Sequence, residues 1–191
     1  MKTKICEHLP DIPTGRIFSL TAKSDILAKM IFPASLIPRS LTSSFAKRPG
    51  SNLNNVSFEV AENVFTVKWE EEEDEVRINC GLDGVPRMSE CTIKGYTYKI
   101  WAYAFMEDGK LNAVVKPINT LSTQYITFDF KENEVKLGFR GTPSFVDFIM
   151  KNADQADIIK NSGKLRPVLL KLVRKVLGII EMPMTFRSKG K

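Results

Sequence analysis

Residues 56–80 read VSFEVAENVFTVKWEEEEDEVRINC, and this stretch decides the fold class. Apolar and polar side chains alternate in three successive runs, whose apolar members are Val56, Phe58, Val60, Phe65, Val67, Trp69, Val76, Ile78 and Cys80. A period of two gives a strand one apolar and one polar face, so each run predicts a strand with one side against a core. The polar breaks at 61–63 and 70–75 predict turns.

The same pattern continues to Phe139. In the segment Glu107-Asp108-Gly109-Lys110, the Asp-Gly pair supplies the positive φ angles that a tight hairpin needs. Two further runs, Tyr125–Phe130 and Val135–Phe139, flank the polar residues 131–134. Consecutive hairpins at this spacing predict a mainly β chain, an antiparallel meander barrel followed by C-terminal helices.

Three parts of the chain are expected to form one domain. Residues 1–55 hold a linker, a first strand at Arg16–Thr21 and the apolar segment Ile26–Leu41, which begins as a helix ending before Pro33. Residues 56–140 form the barrel core. Residues 141–191 form a helical region, with a short helix over Phe145–Lys151, a longer one over Leu165–Ile180, and a last strand at Met184–Arg187.

The Leu165–Ile180 segment is the clearest helix. Its apolar residues, among them Leu165, Val168, Leu169 and Leu172, recur at the i, i+3, i+4, i+7 spacing, and Lys164, Lys171, Arg174 and Lys175 fall on the opposite face. We expect the apolar face to cap the barrel, so that Leu169→Ala or Leu172→Ala would lower the melting temperature. The alternative is a helix that binds an anionic membrane surface or a partner.

Aromatic residues are the candidate lining of a ligand cavity inside the barrel. They are Trp69, Tyr96, Tyr98, Trp101 and Tyr103. Inward side chains line the cavity of a large barrel, but they fill the interior of a small one. We favour the filled interior.

Catalytic and metal-ligating motifs are weak. His8 is the single histidine, and Cys6, His8, Cys80 and Cys91 lack the spacing of a zinc site. The segment Ser44-Phe45-Ala46-Lys47 has the letters of a Ser-x-x-Lys nucleophile but lies beside Pro49-Gly50, without a helix to hold it. The sequence therefore predicts no catalytic residue, no metal, no cofactor and no enzymatic activity.

The charge and the cysteine content limit which partners and which cellular compartment are expected. The net charge is +6, but six acids occupy 70–75, and the C-terminal cations are not interleaved with aromatics along the chain. This pattern predicts no nucleic-acid partner. The N-terminus lacks the apolar core of a secretory signal, and three cysteines suit a reducing compartment, so we expect a cytoplasmic location.

The order of features resembles a known kind of domain. After Gly81-Leu82-Asp83-Gly84 come Trp101-Ala102-Tyr103, the turn Asp108–Leu111, the pair 125–130 and 134–137, and finally Thr142-Pro143-Ser144-Phe145. This order is similar to that of the C-terminal accessory domain of β-lactamase-related (penicillin-binding-protein-like) serine hydrolases, and the opening segment 8–13 resembles the linker before it. The resemblance implies a lipocalin-like barrel without the catalytic residues.

The resemblance also implies a function. The chain would be a non-catalytic accessory domain that packs against a serine-hydrolase catalytic domain absent from this chain. The alternative is a stand-alone binding module, either for an apolar small molecule inside the barrel or for an anionic membrane surface through the Leu165–Ile180 helix.

Overall fold

The computed structural model describes residues 8–21, 53–71, 74–93, 96–118, 123–142, 161–180 and 183–188. These residues form ten strands, which are β1 (Ile17–Leu20), β2 (Leu53–Ala61), β3 (Val64–Glu71), β4 (Asp74–Gly81), β5 (Arg87–Ile93), β6 (Tyr96–Glu107), β7 (Lys110–Pro117), β8 (Thr123–Lys131), β9 (Glu134–Thr142) and β10 (Met184–Ser188). A 3-10 turn at Gly163–Leu165 leads into helix α1 (Arg166–Ile180).

The strands form one sheet in the order β4-β3-β2-β1-β10-β9-β8-β7-β6-β5, and all neighbours in this order are antiparallel. Strands that are consecutive in the chain are therefore neighbours in the sheet, except β4 and β5, and the last strand, β10, also pairs with the first, β1. The predicted fold class, a mainly β antiparallel meander barrel with a C-terminal helix, is confirmed. The barrel extends beyond 56–140, because β1 and β10 complete it.

The two edge strands, β4 and β5, close the barrel at a seam. The described residues show no ladder between them; β4 instead has a single parallel pairing with β6, at Gly81 and Tyr103. The backbone N–H of Asn79 in β4 donates to Ser89 Oγ in β5 at 2.8 Å. A side chain of β5 thus takes the place of a backbone acceptor at this point of the seam.

Hydrogen bonds from one arginine side chain stabilise the turn that joins β4 to β5. Arg87 Nη2 donates to Asp83 Oδ2 at 2.7 Å, and Arg87 Nη1 donates to the Val85 carbonyl at 2.6 Å. The hydrogen bond from Arg87 is the largest cause that holds the pKa of Asp83 below its usual value. A Cβ on Gly81 would lie 1.8 Å from the Val85 carbonyl oxygen, so this close approach requires glycine.

Alternate residues of every long strand face one core. Its largest fully buried side chains are Trp69, Phe18, Phe58, Phe65, Phe128 and Phe186. Ile12, which precedes β1, packs against this core as well, so the segment predicted as part of a linker is anchored to the barrel. Burial of one side of each strand is the outcome that the period-two pattern predicts.

Local predictions agree with the structure where it describes them. The Asp-Gly hairpin is confirmed, since Asp108 and Gly109 have φ angles of 51° and 72° between paired Glu107 and Lys110. The first and last strands also form as predicted. The helices predicted before Pro33 and over Phe145–Lys151 lie outside the described residues.

The contribution of the seam to stability can be tested at Gly81. We expect Gly81→Ala to lower the free energy of unfolding by about 1–3 kcal/mol, because the new methyl group overlaps a backbone oxygen. Gly138→Ala is the matched control: its Cβ would meet only Thr127 Cβ, at 3.8 Å, so its change should stay within about 0.5 kcal/mol. Urea unfolding of both variants checks this, and equal effects would contradict the role of the seam.

Candidate functional site

The structure separates the aromatic residues that were predicted to line one cavity. Trp69 and Tyr98 are buried in the core, whereas Trp101 is 49% exposed and Tyr103 is half-buried. The backbone of Tyr96 begins β6, and its side chain lies outside the described part. In β6 the inward positions belong to Ile100, Ala102 and Ala104, so the odd-numbered aromatics face outward.

Phenylalanine rings fill the barrel interior near the β2–β3 and β8–β9 turns. Phe58 has its ring centroid 5.9 Å from Phe128 and 5.0 Å from Phe130, both edge-on. Phe65 contacts Phe128 at 5.1 Å, also edge-on. Edge-to-face pairs at these distances are stable aromatic packing, so these rings form part of a packed core.

Three of the apolar side chains that were expected to be buried are exposed. Leu165, Val168 and Leu172 are 63%, 62% and 57% exposed. Leu169, by contrast, is half-buried. Truncating Leu172 is therefore no longer expected to destabilise the barrel, because this side chain lies mostly in water.

Lysines border this exposed face, which we call the α1 stripe (Leu165, Val168 and Leu172). Lys164, Lys171 and Lys175 are exposed, and the side chain of Arg174 lies outside the described part. No acidic residue occurs from 163 to 180. Of the helices that the structure describes, none has the length and apolar character to cross a membrane.

A second exposed apolar surface lies on the outside of the barrel. We call it the aromatic face and define it by Trp101, Tyr103, Phe105 and Tyr125, with Met88 at its edge. Met88 and Tyr125 are 56% and 38% exposed, and the rings of Tyr103 and Phe105 lie 6.2 Å apart. Burial, and to a smaller extent the neighbouring Tyr125, raises the pKa of Tyr103 above its usual value.

A small groove lies where the N-terminal segment crosses the β8–β9 turn. Its volume is about 370 Å³, and its lining includes Pro10, Pro13, Arg16 and Phe130. Arg16 Nη1 donates to the Glu132 carbonyl at 3.3 Å across it. Asp11, Lys131 and Glu132 add opposite charges to the same lining, so the groove has no dominant sign.

Reactive groups are scarce in the described residues. Cys80 and Cys91 are buried and form no disulfide with each other, and burial raises the pKa of the Cys80 thiol to about 12, which keeps it protonated at neutral pH. Among the residues placed by the structure, no cluster of three or more His, Cys, Asp or Glu could hold a metal ion. Ser44 and Cys6 lie outside them.

The sequence did not predict the aromatic face, because β6 has apolar residues on both of its sides. Small inward residues alternate with large outward ones, so hydrophobicity alone does not tell which side faces the core. One signal was available: a core position needs bulk matched to its neighbours, and a narrow barrel accepts Ala102 and Ala104 there more readily than aromatic rings.

Comparisons with known proteins give little beyond the fold. No family model matches the chain, and no curated protein does. Among solved structures, the chain is similar to a fatty-acid-binding protein from Drosophila melanogaster brain, with 16% identity, a TM-score of 0.39, and coverage of 66% of this chain and 88% of that one. Nothing in these matches links the chain to serine hydrolases, so the accessory role stays a prediction.

Exposure of the α1 stripe gives a matched test. Leu172→Ala should change the free energy of unfolding by no more than about 0.5 kcal/mol, because the leucine is mostly solvated and alanine favours helix. The same substitution at fully buried Leu111 should cost about 2–5 kcal/mol. Denaturant unfolding distinguishes the two, and a comparable loss for Leu172→Ala would show that the stripe packs on the barrel.

Proposed function

We propose that this chain is a non-catalytic binding module whose helix α1 docks on an anionic membrane surface. The observation that supports the proposal is the α1 stripe, three large apolar side chains exposed by 57–63% on one helix face. Helices that lie in a membrane interface bury an apolar face at the level of the lipid headgroups and present cations beside it.

The apolar contribution comes from the stripe itself. Val168 and Leu172 lie one turn apart in α1, which is about 22 Å long, and Leu165 in the preceding 3-10 turn continues their line at the i, i+3, i+7 spacing. Moving each exposed side chain from water into the acyl boundary contributes about 1 kcal/mol or more. Pro167 fits in the first turn of α1, where its missing N–H removes no helical hydrogen bond.

The lysines beside the stripe favour a membrane with anionic lipids. Lys164, Lys171 and Lys175 are exposed beside the stripe, and each cation near an anionic leaflet contributes about 1 kcal/mol. With no acid from 163 to 180 to oppose them, their attraction for anionic lipid adds up. The attraction is screened within about 8 Å at physiological salt, so binding should weaken as salt rises.

Two other functions receive less support from the same features. An apolar ligand inside the barrel competes with the packed phenylalanine rings around Phe58 and Phe65. An accessory role beside a serine-hydrolase domain would also cover the α1 stripe, but an uninterrupted row of lysines suits an anionic lipid surface better than a protein surface of mixed charge.

Vesicle binding tests the proposal. The chain should sediment with vesicles that contain phosphatidylserine and stay free of pure phosphatidylcholine vesicles. Lys171→Gln/Lys175→Gln should weaken the binding about 30-fold, because two contributions of about 1 kcal/mol are lost. The matched control is Lys110→Gln/Lys131→Gln, which removes two exposed charges in the β6–β7 and β8–β9 turns.

The apolar half of the proposal needs its own variant. Val168→Ser/Leu172→Ser should weaken binding to the same vesicles while leaving unfolding nearly unchanged, since both residues are exposed. The proposal fails if the lysine pair and its control lose binding equally, or if wild-type protein binds neutral and anionic vesicles alike.

A further inference from the structure

We infer that the aromatic face is a binding site for single-stranded nucleic acid, with bases stacked on its rings and phosphates held by the cations beside them. The inference is independent of α1. It departs from the prediction made from the sequence, which looked for aromatics interleaved with cations along the chain. The structure interleaves them across strands.

Strand pairing places a cation next to a ring in two rows. Trp101 in β6 pairs with Lys116 in β7, and Tyr125 in β8 pairs with Arg140 in β9. Directly opposed residues have Cβ atoms about 4.5–5.5 Å apart on the same face of the sheet. Each ring therefore has a cationic side chain opposite it on the neighbouring strand.

The rings themselves form a continuous platform. Trp101, Tyr103 and Phe105 follow one another on the outer side of β6, and Tyr125 lies two strands away, across from Val114. Trp101 and Tyr125 keep 49% and 38% of their surface in water. Aromatic residues on an open sheet surface are how several nucleic-acid-binding folds stack successive bases without reading their sequence.

The cations are available to a ligand. Lys116 and Arg140 are exposed, and in the part of the chain that the structure describes, neither takes part in an ion pair. Lys99, also exposed, lies two residues before Trp101 on the same side, opposite Glu90 of β5. Glu90 opposes Lys99, and Glu107 follows Phe105 by two residues on the same side of β6, so the positive charge beside Trp101 and Tyr125 comes from Lys116 and Arg140.

The acidic run does not oppose this site. It spans the turn between β3 and β4, and Asp74 lies seven residues, about 23 Å along β4, from Gly81, the residue that pairs with Tyr103. The net charge of +6 also favours a polyanion at long range. A single strand carries a phosphate beside each base, which matches the alternation of ring and cation in the pairs Trp101–Lys116 and Tyr125–Arg140.

Fluorescence anisotropy with a labelled oligothymidylate of about 12 nucleotides tests the inference. Wild-type protein should bind it in a salt-dependent manner and bind a duplex of equal length more weakly, because paired bases cannot stack on the rings. Trp101→Ala should weaken the binding about 5- to 150-fold without changing the salt dependence. Ile17→Ala, which removes an exposed apolar side chain on β1, is the control and should have no effect.

Charge variants give the complementary readout. Lys116→Gln/Arg140→Gln should reduce the slope of log K against log salt by about 1.4, because each phosphate contact to a single strand contributes about 0.7. Lys171→Gln/Lys175→Gln in α1 should leave both affinity and slope unchanged. Urea unfolding of each variant confirms that it is folded.

Several results would overturn the inference. They are equal binding of single strand and duplex, an unchanged affinity in Trp101→Ala, or a loss of affinity in the α1 variant that matches the loss in Lys116→Gln/Arg140→Gln. Loss of anionic-vesicle binding in Trp101→Ala, with oligonucleotide binding unchanged, would also overturn it and assign the aromatic face to the membrane.

Discussion

The junction of β4 and β5 is the constraint on which the barrel depends. These strands follow each other in the chain and meet at the two edges of the sheet, yet their described residues share no backbone ladder. An open edge invites pairing with another chain, so closure must come from other groups. Here it comes from the Asn79–Ser89 hydrogen bond, the Asp83–Arg87 ion pair and the close approach at Gly81.

Side chains pack the interior of the barrel, and exposed apolar surface lies on its outside. The rings of Phe18, Phe58, Phe65, Phe128 and Phe130 fill one end of it. Apolar surface that the core does not absorb remains in water, in the α1 stripe and on the aromatic face. Contiguous exposed patches of this kind mark interaction surfaces in soluble proteins.

Both surfaces place cations beside exposed apolar side chains, although they are built from different elements. In α1 the helical period places lysines beside leucines within one segment, so this arrangement of cations and apolar residues can be predicted from the sequence. On the barrel the cation and the ring of each pair come from different strands, 15 residues apart for Trp101 and Lys116 and likewise for Tyr125 and Arg140. We propose an anionic partner for each surface, and their variants separate a membrane from a nucleic acid.

The sequence by itself determined the strands, the Asp-Gly hairpin, the extent of α1 and the mainly β class, because these follow from local periodicity and turn chemistry. It could not decide which face of β6 points inward, since both faces are apolar and the choice depends on how the barrel closes. It also could not show that Leu165, Val168 and Leu172 stay in water. An amphipathic pattern predicts an apolar face, but only the tertiary structure decides whether anything in the chain covers it.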